Sequence, residues 1–207
     1  MTLYIPVGIP GSGKSYLAQQ MVEAGLLADD AIISPDYFRL LLTGDMSNQD
    51  VNRKVFSIVD DIILSRMKYN QDVYVDATNL QMSSIHKYVG ISPPEMPIVI
   101  MPSTTENSVS RQRNAQRERV VPDKAMDKME ARYNEQFRRE LYALADQHDL
   151  LAFCSMDDML ANCYRILYSR ETVIPFPADL SDAAVDALLG RSPAIGTPTP
   201  PTDSPAP

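Results

Sequence analysis

The sequence predicts an α/β fold, a largely parallel sheet of about five strands with helices on both faces. Two observations carry that prediction. Short apolar runs at residues 2–7, 31–33, 73–75, 98–101 and 150–153 alternate with stretches in which apolar residues recur every three or four positions, the pattern of strands feeding crossover helices. The first strand–helix junction also carries Gly8-Ile9-Pro10-Gly11-Ser12-Gly13-Lys14-Ser15, a full GxxxxGK[ST] match in the context that motif needs. Its glycines let the backbone curl so that successive N–H groups point at phosphate oxygens, and the following helix adds its positive N-terminal end. Lys14 is expected to reach the β- and γ-phosphates, and the Ser15 hydroxyl to ligate a magnesium ion between them. A glycine-rich turn before an ordinary helix is the plainer alternative.

The elements follow in order. Residues 2–7 form the first strand, with Pro6 awkward because proline cannot donate to a ladder. A helix over 13–24 ends near Gly25, and strand two follows at 31–33. Ser34 then reads as an N-cap with Pro35 at the first helical position, and Gly44-Asp45 stops that helix. Over 49–69, Val51, Val55, Ile58, Val59, Ile62, Ile63 and Met67 mark a core-facing helix. Residues 73–75 are strand three, 83–89 a short helix and 98–101 strand four. Thr104 or Thr105 is expected to cap a helix that carries the arginines. A long amphipathic helix from Met126 to Leu144 precedes strand five, and further helical patterns lie at 157–167 and, weakly, 180–189. Residues 192–207 are proline, threonine, serine and alanine with almost no apolar content, a composition that predicts disorder. The expected organisation is a domain over 1–170, an extension over 171–190 and a tail over 191–207.

Composition narrows the class. No run of eighteen apolar residues and no signal-peptide pattern occurs, so a soluble, cytoplasmic protein with no membrane partner is expected. Cys154 and Cys163 fit neither a metal pair nor a disulfide framework and read as free thiols. The net charge of -8 argues against a protein that coats nucleic acid nonspecifically. Residues 111–139, however, hold nine basic and five acidic side chains, a local basic element suited to phosphate.

Ligands of such sheets bind at the carboxyl ends of the strands, where the sequence places residues 8–15, 34–39 and 76–79 and the segment after Met101. Asp36 could accept a proton from an attacking hydroxyl, or only favour its helix dipole. Arg39, three residues on, could hold an acceptor phosphate, or be an ordinary surface arginine. Asp76 ends an apolar strand, where a carboxylate can join the magnesium shell, or cap the next turn. Thr78 and Asn79 line that site or close the turn. Arg111, Arg113, Arg117 and Arg119 read as a solvated face or, beside the phosphate loop, as a lid over the triphosphate, with Arg113 and Arg117 on one helical face. His86 and His148 are not expected to act in catalysis.

Taken together, GIPGSGKS, SPDYFR, DATNL and RQRNAQRERVVP resemble the phage-type polynucleotide 5′-kinase and its nucleic-acid kinase relatives. The likeness spans about residues 3–140. It implies a P-loop kinase fold with a helical lid, ATP and Mg²⁺ as cofactors, and DNA or RNA as phosphoryl acceptor. By that resemblance Asp36 is the general base and Arg39 the acceptor-phosphate arginine. Gly8, Pro10, Gly11, Ser12, Gly13, Lys14 and Ser15 bind the donor, with Lys14 also catalytic, and Ser15 and Asp76 hold the metal. Arg113 and Arg117 are lid arginines over the donor phosphates, Arg117 catalytic, while Thr78 and Val121 line the acceptor. The chain departs from the family pattern in Pro35-Asp36, where two acids are usual, and in Ala77, which separates Asp76 from Thr78.

The first expectation is therefore a kinase for a nucleic-acid hydroxyl, in first place a 5′ end. The same machinery would serve a hydroxymethylated pyrimidine in phage DNA or a small molecule. A nucleotide switch or motor with water as its acceptor is the reading from another class. The oligomeric state is left open.

Overall fold

Five parallel strands form one sheet in the order β2-β3-β1-β4-β5. The computed structural model describes residues 1–94, 96–145, 148, 151–153 and 156. The strands are β1 (Leu3–Val7), β2 (Ile32–Ile33), β3 (Val73–Val75), β4 (Ile98–Pro102) and β5 (Leu151–Phe153). The helices are α1 (Lys14–Glu23), α2 (Pro35–Thr43), α3 (Asn52–Lys68), α4 (Met82–Ile91), α5 (Asn107–Ala115), α6 (Asp123–Arg132) and α7 (Glu135–Ala145). The two thiols and the helical patterns predicted beyond residue 156 lie outside the described residues.

Alternation along the strands sorts side chains into two cores, one on each face. Leu3, Ile5 and Val7 of β1, Val73 and Val75 of β3, and Ile98 and Ile100 of β4 pack against α3, α4 and α7. Tyr4, Tyr74, Val99 and Met101 turn the other way, onto Leu17, Ala18 and Met21 of α1. In α3 the buried residues are Val55, Val59, Ile63 and Met67, spaced by four and hence on one stripe. Each such side chain, fully buried, contributes about 1.5–3 kcal/mol relative to exposure.

Pro6 sits in the central strand without breaking the sheet. Pairing of β1 with β3 is registered at Leu3 and Tyr4 only, while pairing with β4 runs the full length to Val7 and Pro102. Where the β3 ladder ends, the Asn79 side chain replaces it, its Nδ2 donating to Pro6 O at 2.7 Å and to Val75 O at 3.1 Å. Asn79 holds φ at 51°, a left-handed conformation that asparagine tolerates better than most residues. Its amide closes the turn, one of the two roles the sequence left open.

Three expectations are corrected. The predicted helix from Met126 to Leu144 is two helices, broken at Tyr133-Asn134, where Asn134 Oδ1 accepts from Phe137 N at 2.9 Å and so starts α7. Neither Thr104 nor Thr105 caps α5, whose N-cap position is Glu106. Thr105 Oγ1 instead donates to Ser12 O at 3.1 Å, bracing the phosphate loop. Helix α5 ends at Ala115, so Arg117 and Arg119 lie in the turn beyond it. Arg113 and Arg117 therefore share no helical face.

Candidate active site

The carboxyl ends of β1, β2 and β3 open on a cleft of about 470 Å³. On one side it is lined by Pro10, Gly11, Gly13, Lys14 and Ser15, on the other by Asp36 and Arg39, with Asp76, Thr78, Arg117, Arg119 and Val121 between or above them. Of the residues proposed from sequence, these share one cavity. Gly8 and Ser12 lie behind the loop, buried. Arg113 lies over the loop rather than in the cleft, its Nη1 3.9 Å from where a Cβ on Gly13 would stand.

The loop is shaped by glycine where nothing else fits. Gly11 has φ +83°, and a Cβ there would meet Ser110 O of α5 at 2.1 Å. Gly13 has φ 99° at the N-cap position of α1. The Lys14 ammonium is curled into the loop, donating to Gly8 O at 2.9 Å, Ile9 O at 2.8 Å and Ser12 Oγ at 3.2 Å. Burial pushes its pKa down to about 8, against the pull of Asp76 and with a smaller push from Arg117. Tyr74 Oη donates to Lys14 O at 2.6 Å, tying β3 to the first turn of α1.

Ser15 Oγ donates to both Asp76 oxygens, at 3.1 and 2.9 Å. Burial raises the Asp76 pKa, opposed by the Ser15 hydrogen bond and by Lys14. A hydroxyl and a carboxylate make a hard oxygen pair. Among the described residues there is no group of three or more His, Cys, Asp or Glu that could cage a cation. Two protein oxygens with open positions fit magnesium, which keeps waters and binds through substrate phosphates.

Opposite, Asp36 in the first turn of α2 is clasped by two guanidinium groups. Arg39 Nη1 donates to Oδ1, and Arg119 Nη1 donates to Oδ2 at 2.5 Å. Arg39 is only 6% exposed and is fixed from behind by its Nε bond to Asn52 Oδ1 at 2.8 Å. Asn52 in turn donates to Gln49 Oε1 at 2.6 Å. Burial lowers the Arg39 pKa while Asp36 raises it. The turn that carries Arg117, Arg119 and Val121 is held by buried Asn114, which accepts from Val121 N at 3.1 Å and donates to Val121 O at 2.8 Å. Arg111, by contrast, is engaged by Asp127 and Glu130 of α6 and is not among the residues lining the cleft.

Sequence reasoning placed Arg119 only as one of four arginines and did not pair it with Asp36. Asn52 and Asn114 escaped it as well. All three act across 7 to 83 residues of chain, and no local spacing announces such partners.

The comparisons agree with this architecture. A family model described as an AAA domain, AAA_33, matches residues 3–136. The chain belongs to that family. No curated protein matches it significantly in sequence. Among solved structures, a chain of the Pnkp1/Rnl/Hen1 RNA repair complex superposes with a TM-score of 0.55 at 24% identity, over 67% of this chain and 45% of that one. A gluconokinase from Sinorhizobium meliloti 1021 aligns with a TM-score of 0.49 at 18% identity, over 82% and 90%. The family member described here has a P-loop kinase fold, and it spans under half the length of the repair-complex chain it matches. No described helix is long and apolar enough to cross a membrane.

Proposed function

We propose that this chain is an ATP- and magnesium-dependent phosphotransferase, working in the cytoplasm, that moves the γ-phosphoryl group to a nucleic-acid hydroxyl. The 5′-hydroxyl end of DNA or RNA is the first acceptor. One observation carries the reading: Asp36, clasped by Arg39, lines the same cleft as Lys14 and the Ser15–Asp76 pair. A switch that spends its nucleotide on water has no use for a carboxylate and a buried arginine at a second, separate end of the cleft.

Phosphoryl transfer asks the protein mainly for placement and charge neutralisation. Lys14 exchanges its three loop acceptors for oxygens of the β- and γ-phosphates, and the loop N–H groups and the start of α1 support the same charge. Ser15 and Asp76 would hold a magnesium ion, which would neutralise charge on the phosphate oxygens. Arg117 covers the donor side from above. Asp36 takes the proton as the acceptor oxygen bonds to the γ-phosphorus and the bond to the departing diphosphate oxygen breaks. Arg39 positions a phosphate of the acceptor, and Thr78 and Val121 line its path.

A second reading draws on the cleft's apolar wall, Phe56, Val121 and Met129, which suits a base carrying the hydroxyl itself, such as 5-hydroxymethyluracil in phage DNA. The test incubates the protein with γ-labelled ATP and two DNAs, one with free 5′-hydroxyl ends and one with internal hydroxymethyluracil, and digests both to nucleotides. Label on the 5′ ends is the expected result. Label confined to internal bases overturns the first acceptor and selects the second.

A further inference from the structure

The arginine turn is divided between the two ends of the cleft. Arg117 acts on Lys14 and Asp76, lowering the pKa of the first. Arg119, two residues on, bonds Asp36 at 2.5 Å and acts on Arg39. At the acceptor end two guanidinium groups thus share the single carboxylate of Asp36. Asp45, the other carboxylate in the field of Arg119, is already occupied by Ser47 N at 2.7 Å and Ser47 Oγ at 2.6 Å. The two arginines differ in mounting. Arg39 is locked by Asn52, whereas the Arg119 side chain is 31% exposed and its one hydrogen bond among the described residues is to Asp36.

We propose that Arg119 is an acceptor-sensing residue. It occupies Asp36 until an anionic group of the acceptor, a phosphodiester or terminal phosphate near the reacting hydroxyl, draws it away to join Arg39. Binding such a group then does two things at once. It fills a two-arginine clamp, the geometry that suits phosphate, and it uncovers one Asp36 oxygen for the hydroxyl proton. An acceptor without the anion must compete with Arg119 for that oxygen. This rests on the proposed function for a phosphoryl acceptor with a phosphate at Arg39, and it adds Arg119 as the second ligand of that phosphate and as the group that covers Asp36 until it binds.

The experiment compares thymidine 3′-monophosphate with thymidine as acceptors for the wild-type chain, Arg119→Ala and Arg119→Lys. For Arg119→Ala the KM for thymidine 3′-monophosphate rises about tenfold or more, the KM for ATP stays within about twofold, and kcat/KM for thymidine rises. Arg119→Lys restores part of the preference, since it keeps charge but loses the planar fork. Equal losses on both acceptors, or a loss that falls on ATP, overturns the inference. Calorimetric titration of thymidine 3′-monophosphate runs in parallel. If the wild-type chain phosphorylates neither of these small acceptors, the labelled-DNA experiment above judges the proposed function, and the titration still decides the inference: weaker binding to Arg119→Ala supports the clamp, and unchanged binding removes it.

Discussion

The two ends of the cleft are held by opposite means. The donor end is built around one continuous segment, the phosphate loop, with Lys14 buried and curled onto Gly8, Ile9 and Ser12, and it is braced from outside by Thr105, Tyr74 and Asp76. The acceptor end is assembled from α2, the start of α3 and the turn after α5, and its central carboxylate is 42% exposed. A triphosphate offers the same groups to every enzyme that binds it, so a compact, preformed cradle serves. An acceptor must be told apart from its competitors, and ion pairs between separate elements can be exchanged for contacts with the right one.

If that division is correct, damage at the two ends separates. The largest effect is expected for Asp36→Asn, which should cut phosphoryl transfer by about 10²–10⁴-fold and leave nucleotide affinity nearly intact, read by a transfer assay beside a titration with ATP. Normal ATP hydrolysis by that variant, with no acceptor phosphorylated by the wild-type chain, would identify a switch instead. Lys14→Ala acts at the other end and should lower turnover by about 10²–10³-fold together with nucleotide affinity, which the same two assays report.

The pH dependence sharpens the comparison, because Lys14 has a pKa of about 8 in the folded chain and about 10.4 unfolded. It carries its charge below pH 8 and loses it above, so the dissociation constant for ATP should rise as pH passes about 8. Stability responds with the opposite sign. Between the two values the unfolded chain holds more protons than the folded one, so the Lys14 contribution increases with pH. Thermal melts of the wild-type chain against Lys14→Met should show that increment only in the former. The smallest effect is expected at Ser110, whose buried Oγ has no hydrogen-bond partner among the described residues. Ser110→Ala should shift stability by less than about 1 kcal/mol, and a denaturant titration showing a larger loss would reveal a partner for that oxygen.

The donor end was legible in sequence because its contacts are local. Residues 8–15 bond to one another, and the motif spacing encodes that geometry. The parallel sheet with helices on both faces was legible for a similar reason, since short apolar runs alternating with helical patterns record buried strands and their crossovers, whereas the strand order was not. The acceptor end was legible only in part. Asp36 and Arg39 are neighbours on a helix, but nothing within several residues of Arg119 points to a carboxylate 83 positions earlier. The break between α6 and α7 escaped because Tyr133 and Phe137 keep the apolar spacing straight through it, while only Asn134, a capping residue, marks the restart.

The amide of Asn79 has one further consequence. Its Nδ2 faces three carbonyl oxygens, of Pro6, Val75 and Ala77, so it bolts together the tips of the two strands that carry the phosphate loop and Asp76. The spacing between the phosphate loop and the Asp76 carboxylate is thereby set in part by a crosslink rather than by either loop alone. Proline at position 6 leaves the opening into which that crosslink fits. An aspartate of the same shape would turn oxygen against oxygen at the joint, leaving the phosphate loop and the Asp76 turn joined by Gly8 N to Thr78 O, by Tyr74 Oη to Lys14 O and by Ser15.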